Sequence, residues 1–276
     1  MNLKPTLSSR GHTWFDALAG QACSLDTGLP SVRVADGELN REITRFIAVV
    51  PDPNNRFARA RSGEVGVDEG WQLALQVRRA ITADRDCRRR SIIAIVDISS
   101  QAYGSNEELL GIHLACAAAA DAFASARLAG HPVIAFLVGK AMSGAFLAHG
   151  YQANRIIALD SPEVLVQAMS KESAARVTRL SVSDLEQLGR QIVPMAYDIE
   201  SFARLGLLRT IIRHIDADRP TSHDVARVRG ELTDAIGDAR ASAANLSSRL
   251  ASEEARQTRA ASIEVRRRLA EQWDAA

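Results

Sequence analysis

"HPVIAFLVGKAMSGAFLAHG" (131–150) is the stretch whose reading decides the fold. Val133 to Val138 form an uncharged run of branched and aromatic residues, the pattern of a strand covered on both faces. Gly139 and Lys140 interrupt that run, and from about Met142 small and apolar residues resume at a spacing that suits a short helix over 142–153. A buried strand feeding a helix through a tight turn is one βα step. The question is whether the chain repeats it.

It does. Upstream, "RFIAVVPDPNN" (45–55) reads as a buried strand stopped by a Pro/Asn cluster, and "SIIAIVDIS" (91–99) as another. Between them, "DEGWQLALQVRRAITADRD" (68–86) has an acidic first turn and a broad apolar face, a helix. The Ala-rich run 106–129 reads as one long, closely packed helix ended by Gly130. "NRIIALD" (154–160) is a fourth strand and "EVLVQAM" (163–169) a fifth candidate. Continuous apolar strands alternating with helices indicate an α/β fold with a parallel sheet. Residues 1–40 read as an N-terminal arm or outer layer with one helical patch at 13–20. From about residue 170 the chain turns helical. In a C-terminal helical tail (220–276), Val225, Val228, Leu232, Ala235, Ala239, Ala243, Leu246 and Leu250 recur every three or four positions, a stripe that docks on the 1–219 domain or on a partner. Arg266, Arg267 and Arg268 read as a solvated helix end.

Bulk composition narrows the function classes. The 34 basic and 33 acidic side chains leave a formal charge of +1, so no global field attracts nucleic acid or an anionic membrane. Every apolar stretch falls well short of the roughly 20 residues that span a bilayer. Cys23, Cys87 and Cys116 are odd in number and lack metal or redox spacing, and no leader-like segment opens the chain, so a reduced, cytoplasmic protein is expected. No two of the six histidines have metal-ligand spacing with a carboxylate, and no metal is expected.

Several catalytic motifs can be tested on 139–150. A P-loop fails, because Ile134 stands at its first glycine and Ala141 at its Ser/Thr. A dinucleotide fingerprint fails on glycine spacing. A serine elbow at "AMSGA" (141–145) would use Ser143 with His149 and Asp160, but both flanking glycines are alanine and His149 belongs to the same short helix. What survives uses backbone: the amides of Gly144 and Ala145, unpaired at a helix start, form one half of an oxyanion hole. The loop "DISSQAYG" (97–104) supplies the other half, with Ser100 and Gln101. Spacing alone leaves open whether both loops are ordinary turns.

At these loops the sequence resembles the carboxyltransferase branch of the crotonase superfamily, and within it the malonate decarboxylase gamma-subunit family. "SQAYG…EELLGI", "GKAMSGAFLAHG" and "QANRIIALD", within residues 96–178, carry the resemblance, and "MAYDI" (195–199) extends it. In acetyl-CoA carboxylase carboxyltransferase alpha subunits the related loops look like D-T-P-G-A-Y-P-G and G-G-S-G-G-A-L. That likeness puts Ser100 and Gln101 at the first oxyanion arm and Gly144 and Ala145 at the second. Here Ile98-Ser99 replaces Thr-Pro, and Ser100, Ala141, Met142 and Ala145 replace glycines, so biotin is not expected.

The resemblance implies a crotonase-like spiral of ββα units with an extended helical C-terminal region, paired with a beta subunit of the same fold. It implies decarboxylation of a malonyl thioester, carried on the phosphopantetheine-type arm of an acyl-carrier subunit, to acetyl thioester and CO2, with an acyl-transferase subunit completing the complex. Lys140, Met142, Ser143, Tyr103 and Gly104 are the expected substrate contacts, Lys140 against the malonyl carboxylate. The alternatives are a biotin-dependent carboxyltransferase subunit and a serine hydrolase built on Ser143.

Overall fold

The computed structural model describes residues 8–274. The chain opens with α1 (Arg10–Ala19), β1 (Cys23–Leu25), β2 (Val32–Leu39) and β3 (Glu42–Val49). It continues through α2 (Val67–Ala83), β4 (Ser91–Ile98), α3 (Ser105–Leu109), α4 (Ile112–Leu128), β5 (Val133–Met142), α5 (Ser143–Ala148) and β6 (Arg155–Leu159). Then follow β7 (Val166–Gln167), α6 (Lys171–Thr178), α7 (Val182–Gln191), α8 (Ile199–Arg204) and β8 (Thr210–Ile212). The chain ends in α9 (Ser222–Ala241), α10 (Glu253–Thr258) and α11 (Ala260–Asp274).

The sheet order is β1-β2-β3-β4-β5-β6-β8, with β7 paired to the far end of β5. β1, β2 and β3 are antiparallel, and every pairing from β3 onward is parallel. Val133 to Val138 of β5 are all fully buried, so both faces of the sheet are covered, as the unbroken apolar runs require. α1 and α9 pack on the sheet and on each other; α2 and α4 form a second helical layer. That second layer is tight because Gly70 of α2 faces Ala115 of α4, where a β-carbon would sit 2.8 Å from the Ala115 carbonyl carbon.

Four sequence expectations are corrected. Residues 10–39 are not an arm: β2 pairs with β3 along its whole length, and Trp14, Phe15 and Leu18 of α1 are core residues. Trp14 meets Phe136 edge to face at 5.3 Å, and its indole N–H donates to the Ala217 carbonyl. Hydrophobic burial of that size overrides the polar composition around it. The long Ala-rich helix is two helices, because Gly111 takes φ +77° between α3 and α4. β8 interrupts the helical region, its Ile211 and Ile212 pairing with Ala158 and Leu159 of β6. The C-terminal stripe docks on this domain through Val228, Leu232, Ala235 and Ala239, but α9 ends at Ala241, so Ala243, Leu246 and Leu250 do not continue it. A second tail contact is made by Arg249, which is buried and donates to the carbonyls of Tyr151 and Ala153 at 2.7 Å.

Candidate functional site

β4 and β5 run side by side in parallel, and their register shifts between Val96 and Ile98, so that Ile98 pairs with Ala141 and β5 extends past the end of β4. The loop after β4 (99–104) therefore lies against the start of α5. On its other side Ala102 and Ser100 exchange backbone hydrogen bonds with Val65, which fixes that loop from below. There is no loop after β5: α5 starts at once, and the change of direction falls on Ser143, held at φ +55°, a left-handed conformation that a non-glycine residue adopts at a cost.

The two segments hold each other. The Gln101 N–H donates to Ser143 Oγ at 3.2 Å, Ser143 Oγ lies 3.4 Å from Ser100 Oγ, and the Gly144 N–H donates to Gln101 Oε1 at 2.9 Å. The expectation that the Gly144 amide is unpaired is thus overturned, because the neighbouring loop comes close enough for its glutamine to take that proton. An N–H can only donate, so Oε1 faces Gly144 and Nε2 is turned away with both of its protons. Gln101 Nε2 makes no hydrogen bond among the described residues. Ala145, the next residue of α5, is fully buried in the core. With only six residues, α5 adds little macrodipole to the Gln101 donor.

Two apolar spaces meet at Gly144 and Leu147. One, of about 310 Å³, lies behind Ser143 and is walled by Phe146, Tyr151, Val166 and Phe202. The other is a groove of about 370 Å³ between α4 and α5, lined by Gln101, Ile112, Cys116 and Ala117. Burial pushes the Cys116 thiol up to about 11, so it stays protonated there.

The other expected contacts are elsewhere. Lys140 is exposed beside a separate polar cleft with Asp97, Glu64 and Glu163, and only its backbone N–H meets Asp97. Tyr103 lies under the Arg59 guanidinium at 4.5 Å, Arg59 being paired with Glu64. Gly104 caps α3 and Met142 is buried at the end of β5. The serine-hydrolase arrangement is absent: His149 is buried with Nε2 on the Ile95 carbonyl at 3.0 Å, and Asp160 faces Arg213. Ser143 is left with the Ser100 hydroxyl and the Gln101 amide as partners and no base. Sequence reading missed Tyr151 and Gln167, which line the cavity with no motif to mark them. Among the described residues no group of three or more His, Cys, Asp or Glu is arranged to hold a metal ion.

A family model described as malonate decarboxylase gamma subunit (MdcE) matches residues 60–273, which include both loops. A solved Pseudomonas malonate decarboxylase hetero-tetramer in complex with coenzyme A contains a chain 54% identical to this one, at TM-score 0.91, covering 96% of this chain and 100% of that one. A solved Pseudomonas MdcD–MdcE hetero-dimer matches at 53% identity and TM-score 0.87, with coverage of 96% and 100%. The malonyl-S-ACP:biotin-protein carboxyltransferase MADD of Malonomonas rubra is 35% identical over 170 residues, 60% of this chain and 58% of that protein. The chain therefore spans little more than half the length of that curated relative. Transcarboxylase 12S, at 17% identity and TM-score 0.64 over 86% of this chain and 41% of that one, shares the fold, a crotonase-like carboxyltransferase fold.

Proposed function

The chain belongs to the malonate decarboxylase gamma-subunit family, and from that we propose that it decarboxylates a malonyl thioester to acetyl thioester and CO2 while paired with a beta subunit of the same fold. The hetero-dimeric and hetero-tetrameric assemblies of its relatives support the pairing. The malonyl group would ride on the phosphopantetheine-type arm of an acyl-carrier subunit, in keeping with the carrier-bound malonyl in the name of the M. rubra relative and the coenzyme A bound to the Pseudomonas complex. An acyl-transferase subunit would recharge the carrier. Three free thiols suit a reducing, cytoplasmic setting. No helix among the described residues is long and apolar enough to cross a membrane.

One observation carries the reading: the mutual lock of Gln101 and Gly144, which leaves one fixed donor, Gln101 Nε2, without an acceptor among the described residues. As CO2 leaves, the electron pair of the breaking C–C bond moves into the thioester and its oxygen becomes an enolate. A fixed donor aimed at that oxygen stabilises the charge as it develops and needs no reorganisation, at about 2.7 to 4 kcal/mol. A proton from water then completes the acetyl group. Gly144 and Ser143 serve here as orienting partners of Gln101.

The test is release of labelled CO2 from malonyl-loaded carrier by this chain co-expressed with its beta partner. A β-carbon on Gly144 would press on Gln101 Oε1 at 3.1 Å, so Gly144→Val should dislodge the glutamine and remove turnover, whereas Ser143→Ala should retain most of it. Equal turnover in Gly144→Val and wild type, with the partner still bound, would overturn the reading. The M. rubra relative favours one second reading, transfer of the carboxyl to biotin; that version alone loses activity on avidin treatment.

A further inference from the structure

We infer that the cavity behind Ser143 takes the leaving carboxylate of the malonyl group, and that it promotes CO2 loss by giving that carboxylate no cation. The inference rests on the proposed decarboxylation and names the subsite where it happens. Two spaces diverge at Gly144. The groove along α4 is bordered by exposed residues such as His113 and Ala117, so it can lead a long thioester arm to a carrier at the surface. The other space is walled by the buried Phe146, Val166 and Phe202 and suits a short head group.

Among the described residues no Lys, Arg or His lines that cavity. Its polar side chains are mostly engaged. Gln167 donates through Nε2 to the carbonyls of Pro194 and Ala196 and accepts the Ala168 N–H, and Ser143 Oγ serves the 99–104 loop. Lys171, beyond the Ala168 wall, pairs with Glu186 at 2.6 Å, and Arg249 stands over the Tyr151 ring with its donors on backbone carbonyls. A carboxylate entering here loses its water and gains no counter-charge. In the transition state the charge has moved toward the thioester oxygen, at the Gln101 donor, and the departing CO2 is neutral and fits an apolar wall. The ground state is therefore raised more than the transition state.

The kinetic signature has an unusual sign. Placing a cation in the cavity should stabilise bound malonyl thioester more than the transition state, so in Ala196→Lys both KM and kcat should fall by about tenfold. Ala196→Met, of similar bulk without the charge, should not lower KM. Ala168→Lys at the exposed rim is the second variant, in case the first disturbs folding, and thermal melts of the assembled complex check both. In direct binding, wild type should hold malonyl-loaded carrier no more tightly than acetyl-loaded carrier, and the lysine variants should prefer the malonyl form. A raised KM in both lysine variants, or a wild type that already prefers the malonyl carrier, overturns the subsite while leaving decarboxylation intact. No CO2 from the wild-type complex overturns decarboxylation itself, and the subsite with it.

Discussion

The Gly144 N–H donates to Gln101 Oε1 at 2.9 Å across a sequence separation of 43 residues. This bond fixes which end of the carboxamide faces outward. A backbone donor, which only proline would remove, thereby sets the orientation of a side-chain donor.

Gln101→Glu keeps an acceptor for Gly144 but presents an anion where the amide protons stood. CO2 release should fall about 10² to 10³-fold, with little change in melting temperature. Gln101→Leu should lose a similar amount. Turnover of Gln101→Glu within about threefold of wild type would show that Nε2 is not a donor in the reaction.

At φ +55°, Ser143 is strained, and the strain depends on the side chain. Ser143→Gly removes it and also removes the hydroxyl that accepts from Gln101, so the stability change should be within about 1 kcal/mol. Ser143→Val puts a β-branched residue in the left-handed region and should cost about 1–3 kcal/mol, measured by urea unfolding. Val tolerated like Gly would mean the turn relaxes without it.

Gly70→Ala improves helix propensity by about 1 kcal/mol in isolation, yet its β-carbon would meet the Ala115 backbone at 2.8 Å. Backbone cannot swing aside as a side chain can, so a net loss of about 1–3 kcal/mol is expected. A raised melting temperature would contradict the close packing of α2 on α4.

Burial pushes His149 down to about 4 from an ordinary 6.5, and its unprotonated Nδ1 faces no donor. Between those values the unfolded chain takes up a proton that the folded one rejects. The stability is complete above pH 6.5 and is lost as pH falls toward 4, by on the order of 3 kcal/mol. Burial lowers His131 as well and adds in the same direction. His149→Gln, which keeps a donor for the Ile95 carbonyl, should flatten the melting-temperature profile between pH 4 and 6.5 relative to wild type. An unchanged profile would assign the acid loss to other groups.

β3 to β6 were legible in the sequence because each is a continuous apolar run, and burial on both faces leaves that mark. β2, at "VRVADGEL", carries charges in the antiparallel part of the sheet between β1 and β3, and β8 is three residues long, so neither leaves a periodic signal. Gly111 was visible, but an Ala-rich stretch tolerates a glycine, and only the left-handed turn there divides the helix. The two loops of the site were readable from the small residues at their ends. That Gln101 would reach across and occupy Gly144 was not, because the approach depends on the register shift between Val96 and Ile98, which pairing alone decides.

The N-terminal helix is anchored by residues made much later: Trp14 donates to the Ala217 carbonyl, and Arg10 pairs with Asp218 at 2.7 Å, 208 positions on. A ribosome delivers Trp14 203 positions before Ala217, so its indole lacks this acceptor until the intervening chain has been synthesised. α1 is made well before β8 and α9, yet it is among the last elements to dock. A nascent chain cut short before residue 217 keeps this tryptophan and the sheet face beneath it uncovered, which marks the fragment for chaperones and proteases.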